Sequence, residues 1–186
     1  MKPVKLQGSL PASLCPFRAD FSIDEEAFAA HVRWLAVASK GGGIVCNGHA
    51  GEVASLTRME RKRVVEVAVR EAKGKAPVVA GVYTDSTPDA IEFARDAEAA
   101  GASAILLFPP PVLGGGGNRT EIMVLSFARA VAEAIGIGVV IFQFPIAFGY
   151  KSWDIFLFSI LCCHNLCVIL TLLFTSNYYW MDLINN

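Results

Sequence analysis

At 186 residues with a formal net charge of −1, the chain is long enough for one domain with a sizeable core, and it has no basic excess that would imply a nucleic-acid partner. Its five cysteines, Cys15, Cys46, Cys162, Cys163 and Cys167, show no zinc-ligand spacing, and His164 among the last three does not make one, so they read as free thiols in a reducing, cytoplasmic compartment with no metal. Met1 to Ser13 lacks the apolar run of a signal peptide, so Asn118-Arg119-Thr120 reads as a helix start rather than a glycosylation site.

The first element expected is a strand over Val4 to Leu10. Ser22-Ile23-Asp24-Glu25 has the pattern of a helix-capping box, and Phe28, Val32 and Leu35 follow at helical spacing until the glycines at 41 to 43. Ile44 to Cys46 reads as a short buried strand. A second helix is predicted from about Thr57 to Lys73, with Val64, Val67 and Ala68 on its apolar face. Pro77 to Tyr83 is rich in β-branched residues and reads as a strand. Thr87 is the expected cap of a third helix, with Pro88 in its first turn and Gly101 at its end. Ala104 to Phe108 is the next buried strand. A loop rich in proline and glycine leads to a fourth helix opening at Asn118 to Glu121, with Phe127, Val131 and Ile135 on one face. Val139 to Phe144 is the fifth strand.

Strands that are apolar on both faces and alternate with helices imply a parallel sheet with helical cover. An open doubly wound sheet and a barrel satisfy that pattern equally well. The segment after the second strand is the most informative. Glycines at 48 and 51 would allow backbone with φ > 0 and close approach of a ligand, and N–H groups in such a turn form a nest for an anion such as a carboxylate. A tight strand-to-helix turn without a ligand fits the same residues.

Gly48-His49-Ala50-Gly51-Glu52 followed by Leu56-Thr57 and Glu60-Arg61 resembles a signature of the dihydrodipicolinate synthase / N-acetylneuraminate lyase family. Pro77 to Val82, Ala100 to Ala104 with Phe108-Pro109-Pro110, and Phe142-Gln143-Phe144-Pro145 resemble later motifs of that family in order and spacing. The likeness runs over about residues 4 to 149. It implies an α/β fold of the parallel (β/α)8 TIM-barrel family, here truncated after about five strands, with ligand groups at the C-terminal strand ends. Residues 1–149 are then a partial barrel.

The resemblance also implies a chemistry. The family forms a Schiff base between a lysine on the sixth strand and a 2-keto acid such as pyruvate, and the imine serves as electron sink for a lyase or aldolase step. No further cofactor is implied. Phe142 stands where the family has a proton-relaying tyrosine, and it has no hydroxyl. His49 and Ala50 replace paired threonines that hold the substrate carboxylate, and His49 is a candidate acid or base. Gly48, His49, Ala50, Gly51 and Glu52 are the expected substrate-binding residues. No Schiff-base lysine is visible: Lys40, Lys73 and Lys75 read as solvated helix ends, and Lys151 lies beyond the likeness. The family arginine expected after residue 145 is absent from Ile146-Ala147-Phe148-Gly149, so a divergent lyase or aldolase with a different acceptor is expected rather than dihydrodipicolinate synthesis. Little or no activity is expected of this chain alone, the alternative being a non-catalytic fragment or a membrane-tethered pseudoenzyme. Full-length relatives are expected to be homo-oligomers.

Residues 150–186 change character. Positions 151 to 186 contain no alanine, glycine, proline or arginine, and only Lys151, Asp154 and Asp182 are charged. Ile155 to Phe174 is a twenty-residue apolar run, long enough to cross a bilayer as a helix, but it lacks a basic flank. A helix covering the open edge of the sheet is a second reading. The favoured one is translation through an intron or past a frameshift, because residues with G/C-rich codons give way abruptly to residues with A/T-rich codons.

Overall fold

The computed structural model describes residues 6–110, 121–143 and 166–171. Among them, helices α1 (Glu25–Ala38), α2 (Arg58–Ala72), α3 (Thr87–Ala99) and α4 (Glu121–Glu133) alternate with strands β1 (Ile44–Cys46), β2 (Val78–Val82), β3 (Ala104–Leu107) and β4 (Gly138–Gln143). A further strand, β5 (Leu166–Thr171), follows, and the sheet runs in the order β1-β2-β3-β4-β5 with every pair parallel.

Two apolar layers follow from the period of two along each strand. Ile44, Cys46, Val78, Ala80, Val82, Ile105, Leu107, Val139 and Ile141 pack against the helices through Phe28, Val32, Leu35, Val64, Val67, Ala68, Phe127, Val131 and Ile135. The intervening residues Val45, Val79, Ala104, Leu106 and Val140 form the other face, which ends in Phe108 and Phe142. This is the two-faced burial that the near-continuous apolar strands imply.

The helix starts follow local chemistry. Thr57 caps α2 as one half of a capping box: its hydroxyl accepts from the Glu60 N–H at 3.3 Å, while the Glu60 carboxylate accepts from the Thr57 N–H at 2.8 Å. Two expected caps are displaced. Asp24, not Ser22, caps α1 by accepting from the Ala27 N–H at 3.0 Å, because the Ser22 hydroxyl is spent on Asp20 at 2.7 Å. Ser86, one residue before the expected Thr87, caps α3 and leaves Thr87 and Pro88 in its first turn.

The expected first strand is not formed over residues 6–10. Gly8 turns the chain at φ 75°, and strand character reduces to a bridge between Ala12 and Val45. There the Ser13 N–H donates to Val45 O at 2.8 Å, and the Val45 N–H donates to Pro11 O at 3.0 Å. Pro11 has no N–H, so it can only accept in this ladder. The fifth member of the sheet comes instead from the tail. Leu166–Thr171 lies parallel to β4 with Phe142 opposite Leu170 and Gln143 opposite Thr171. A helix is therefore not what this part of the apolar run forms. β-Branched Val168, Ile169 and Thr171 suit an extended backbone. No helix among the described residues is long and apolar enough to cross a membrane.

Candidate functional site

The site is organised by the turn that leaves β1. Asn47 takes the left-handed conformation (φ 53°) and its Nδ2 donates to Arg61 O of α2 at 2.9 Å. Its Oδ1 is buried and has no partner among the described residues. Asn47 O lies so close to β2 that a Cβ at Gly81 would sit 1.9 Å from it. Gly48 is extended, and one turn of 3-10 helix follows from His49 to Gly51. Glu52 is again left-handed at φ 53° and leads into a second such turn, Val53–Ser55. The expectation that Gly48 and Gly51 supply φ > 0 is thus corrected: Asn47 and Glu52 take those conformations. Asparagine tolerates this region better than most side chains do.

The turn divides its own donors. The Gly51 N–H donates to Gly48 O at 3.0 Å and the Glu52 N–H to His49 O at 3.0 Å, so neither serves a ligand. His49 and Ala50 are the first residues of the 3-10 turn, where N–H groups have no acceptor within the turn. Both residues are exposed. They are the donors that this turn can offer to an anion.

Four rings from four successive strand ends meet beside them. His49 follows β1, Tyr83 follows β2, Phe108 follows β3 and Phe142 lies near the end of β4. The His49 ring centroid is 4.5 Å from Phe108, 5.1 Å from Tyr83 and 5.8 Å from Phe142, and Phe108 and Phe142 are 4.5 Å apart. The tilted and edge-on orientations are those aromatic quadrupoles prefer. Phe108 and Phe142 are buried, so His49 and the half-buried Tyr83 are the rings that present surface.

Burial among these rings pulls the His49 imidazole below its ordinary pKa of 6.5, so it is neutral at pH 7. The unfolded chain then binds the proton more readily than the folded one. The stability contributed by neutral His49 is fully present above pH 6.5 and is lost as pH falls from there toward the lowered value. Urea unfolding at a series of pH values should show this acid loss in the wild type and a smaller loss in His49→Phe.

Arg61 supports the ring cluster from behind. Its Nε donates to Leu56 O at 3.0 Å and a terminal nitrogen to Tyr83 O at 2.9 Å, while the guanidinium lies 4.6 Å over the Phe93 ring. One side chain thereby ties the loop before α2 to the end of β2. Asn47, Arg61 and Tyr83 were not singled out individually by sequence reasoning. Tyr83 had a signal: it stands one residue past its strand, as Phe108 does.

Other expected residues separate from this cluster. Glu52 is exposed beside the buried Cys15, whose thiol is pushed up to about 11 by burial and by the carboxylates of Glu52 and Glu60. Burial pushes Cys46 up to about 12. Both thiols are therefore protonated and unreactive at neutral pH. Lys40, Lys73 and Lys75 are exposed near the C-terminal ends of α1 and α2, and Lys62 lies on α2, so none of these lysines is at a strand's C-terminal end. Lys151 and Phe144 to Gly149 lie outside the described residues. Among the described residues no group of three His, Cys, Asp or Glu side chains could hold a metal.

A parallel sheet with helical cover and a cluster of rings at its C-terminal strand ends is an anatomy that (β/α)-barrel proteins share, and in them ligand groups gather at that edge. The chain belongs to the dihydrodipicolinate synthetase family, whose model matches residues 5–151. It is 40% identical over 139 residues to the 4-hydroxy-tetrahydrodipicolinate synthase of Agrobacterium fabrum, a match covering 75% of this chain and 46% of the relative. It is 40% identical over 141 residues to the enzyme of the same description from Methylobacterium radiotolerans, covering 76% and 45%. Among solved structures, the chloride-inhibited dihydrodipicolinate synthase of Acinetobacter baumannii complexed with pyruvate superposes with a TM-score of 0.78 at 25% identity, over 90% of this chain and 56% of that one. The Ruminococcus gnavus sialic acid aldolase gives 0.78 at 25% identity, over 88% and 53%. The chain thus spans about half the length of the curated relatives it matches.

Proposed function

We propose that this chain carries the carboxylate-binding side of a 2-keto acid site in a Schiff-base lyase or aldolase, and that alone it binds a pyruvate-type keto acid without turning it over. The observation that carries this reading is the pair of N–H groups at His49 and Ala50, set on the segment whose imidazole packs against Tyr83, Phe108 and Phe142. A carboxylate accepts from two adjacent N–H groups regardless of the side chains, so replacement of the family threonines leaves that contact available. Pyruvate in the Acinetobacter relative supports the ligand class.

The residues point away from dihydrodipicolinate synthesis itself. Phe142 has no hydroxyl to relay a proton, whereas the His49 imidazole, 5.8 Å from that ring and held below its ordinary pKa by burial, has a ring nitrogen able to accept one. His49 is the acid/base group in this reading. The aromatic surroundings favour an uncharged acceptor aldehyde. In this reading the imine-forming lysine of the family lies on a sixth strand, outside the segment that the family model matches, residues 5–151.

Labelled pyruvate with borohydride, followed by intact mass and peptide mapping, tests the chemistry. No lysine adduct is expected, while pyruvate titration should shift the amide resonances of His49 and Ala50. A mapped adduct on any lysine of the chain would overturn the inactivity, and unmoved amides at 49 and 50 would overturn the carboxylate site.

A further inference from the structure

Beside the turn at His49 and Ala50, the surface over which a bound keto acid extends is made of rings. His49, Tyr83, Phe108 and Phe142 come from four successive strand ends, and between them they offer two polar groups, an imidazole and a phenol. Tyr83 stands nearly perpendicular to two ring neighbours, at 85° to His49 and 83° to Phe108, so neither lies flat against it. Its ring is half-buried, and its place is set from the main chain, where Arg61 donates to Tyr83 O at 2.9 Å. A ring held in this way, with neither of these neighbours stacked on it, suits the offset stacking of a planar group.

Charge argues against other substituents. A second carboxylate or a phosphate on the ligand needs a cation set to meet it. Arg61 is engaged by Leu56 O, Tyr83 O and the Phe93 ring. Arg58 pairs with Glu92 and Asp96, and Arg18 with Asp24 at 3.6 Å. Lys40, Lys62, Lys73 and Lys75 lie away from the C-terminal strand ends. A polyhydroxylated chain needs a hydrogen-bond partner for each hydroxyl it buries, and the four rings supply only the imidazole and the phenol. An aryl group buries its faces on such rings and leaves no polar group unpaired.

We propose that the keto acid taken by this site bears an aromatic substituent, as in the aldol of pyruvate with an aromatic aldehyde; this rests on the carboxylate reading above. The carboxylate lies on the His49 and Ala50 N–H groups and the aryl ring lies against Tyr83 and His49. Three carbon atoms separate carboxylate from ring in such an aldol. His49 carries both an N–H donor and one ring of the wall, so a single residue spans the two contacts.

Titration of the full chain, read by amide and aromatic-ring NMR, compares pyruvate, 4-phenyl-2-oxobutanoate, 4-cyclohexyl-2-oxobutanoate and 2-oxoglutarate. The phenyl compound should bind about tenfold tighter than pyruvate and about threefold tighter than the cyclohexyl one, which matches it in size but is not flat. 2-Oxoglutarate should bind no tighter than pyruvate. Tyr83→Phe should keep this order, and Tyr83→Leu, checked for folding by circular dichroism, should bring the phenyl and cyclohexyl compounds level. Equal binding of those two by the wild type, tightest binding of 2-oxoglutarate, or a folded Tyr83→Leu chain that keeps the phenyl preference would overturn the proposal, and the wild-type comparison decides by itself where Tyr83→Leu does not fold. Benzyl alcohol, which has no carboxylate, separates the aromatic preference from the carboxylate site. Shifted Tyr83 ring resonances support the aryl contact whatever pyruvate does at the His49 and Ala50 amides, and unshifted ones overturn it even where pyruvate moves those amides.

Discussion

Gly81→Ala is expected to cost about 3 kcal/mol or more and to leave most of the chain insoluble on expression. The reason is an approach of backbone to backbone. Asn47 O and the Asn47 carbonyl carbon would lie 1.9 and 2.6 Å from the new Cβ, and Gly48 N 3.2 Å from it. No rotamer change relieves a clash with main chain. Relief would require moving the turn after β1, which is held by Asn47 Nδ2 on Arg61 O, or β2, which is bonded on both sides. Gly48→Ala is the control: among the described residues its Cβ would meet Val45 Cγ1 alone, at an ordinary 3.8 Å, and its φ is −87°, so a change of about 0.5 kcal/mol is expected. Urea midpoints of the two variants decide the matter, and equal losses would show that the turn yields more easily than this contact implies.

That contact also explains what was and was not legible beforehand. β1 to β4 and the apolar faces of α1, α2 and α4 were readable, because each follows from a local run or a helical period. The capping box at Thr57 and Glu60 was equally local. At α3 two adjacent hydroxyls, Ser86 and Thr87, have the same cap chemistry, so the start was placed one residue late. The conformation of the turn is another matter. Asn47 and Glu52 rather than the glycines take positive φ, and Gly81 is the glycine that the turn cannot do without. Such a demand arises across the sheet and leaves no mark in the turn's own sequence. The ring cluster has the same character: its members are scattered from position 49 to position 142, and only the parallel register brings them together. The strand at Leu166–Thr171 was hidden differently. An apolar run of twenty residues without glycine or proline has no punctuation to divide it into strand-sized pieces.

Arg61→Met is expected to destabilise the chain by about 2–3 kcal/mol, from two charge-assisted hydrogen bonds to carbonyls and one cation–π contact, partly offset by the retained aliphatic stem. The loss is not spread evenly. Leu56 O and Tyr83 O would each lose a donor, and Tyr83 would lose the tether that presents its ring edge to His49. Near-ultraviolet circular dichroism of the aromatic cluster should therefore fall in the folded variant, before any unfolding. Arg61→Lys should not restore it, because one ammonium group cannot span two carbonyls and lie over Phe93 as the planar guanidinium does. The neighbouring Arg58 supplies the comparison. It pairs with Glu92 and Asp96 on the surface of α3, where screening by water keeps the contribution of such pairs small. Arg58→Met should leave the aromatic signal unchanged. If both variants lose the same stability and the same signal, Arg61 acts as a general surface charge and not as the clamp between α2 and the site. If only Arg61→Met loses the signal, the Glu60-Arg61 pair of the family signature has a physical division of labour: Glu60 starts the helix, and Arg61 fixes the strand end on which the candidate site is built.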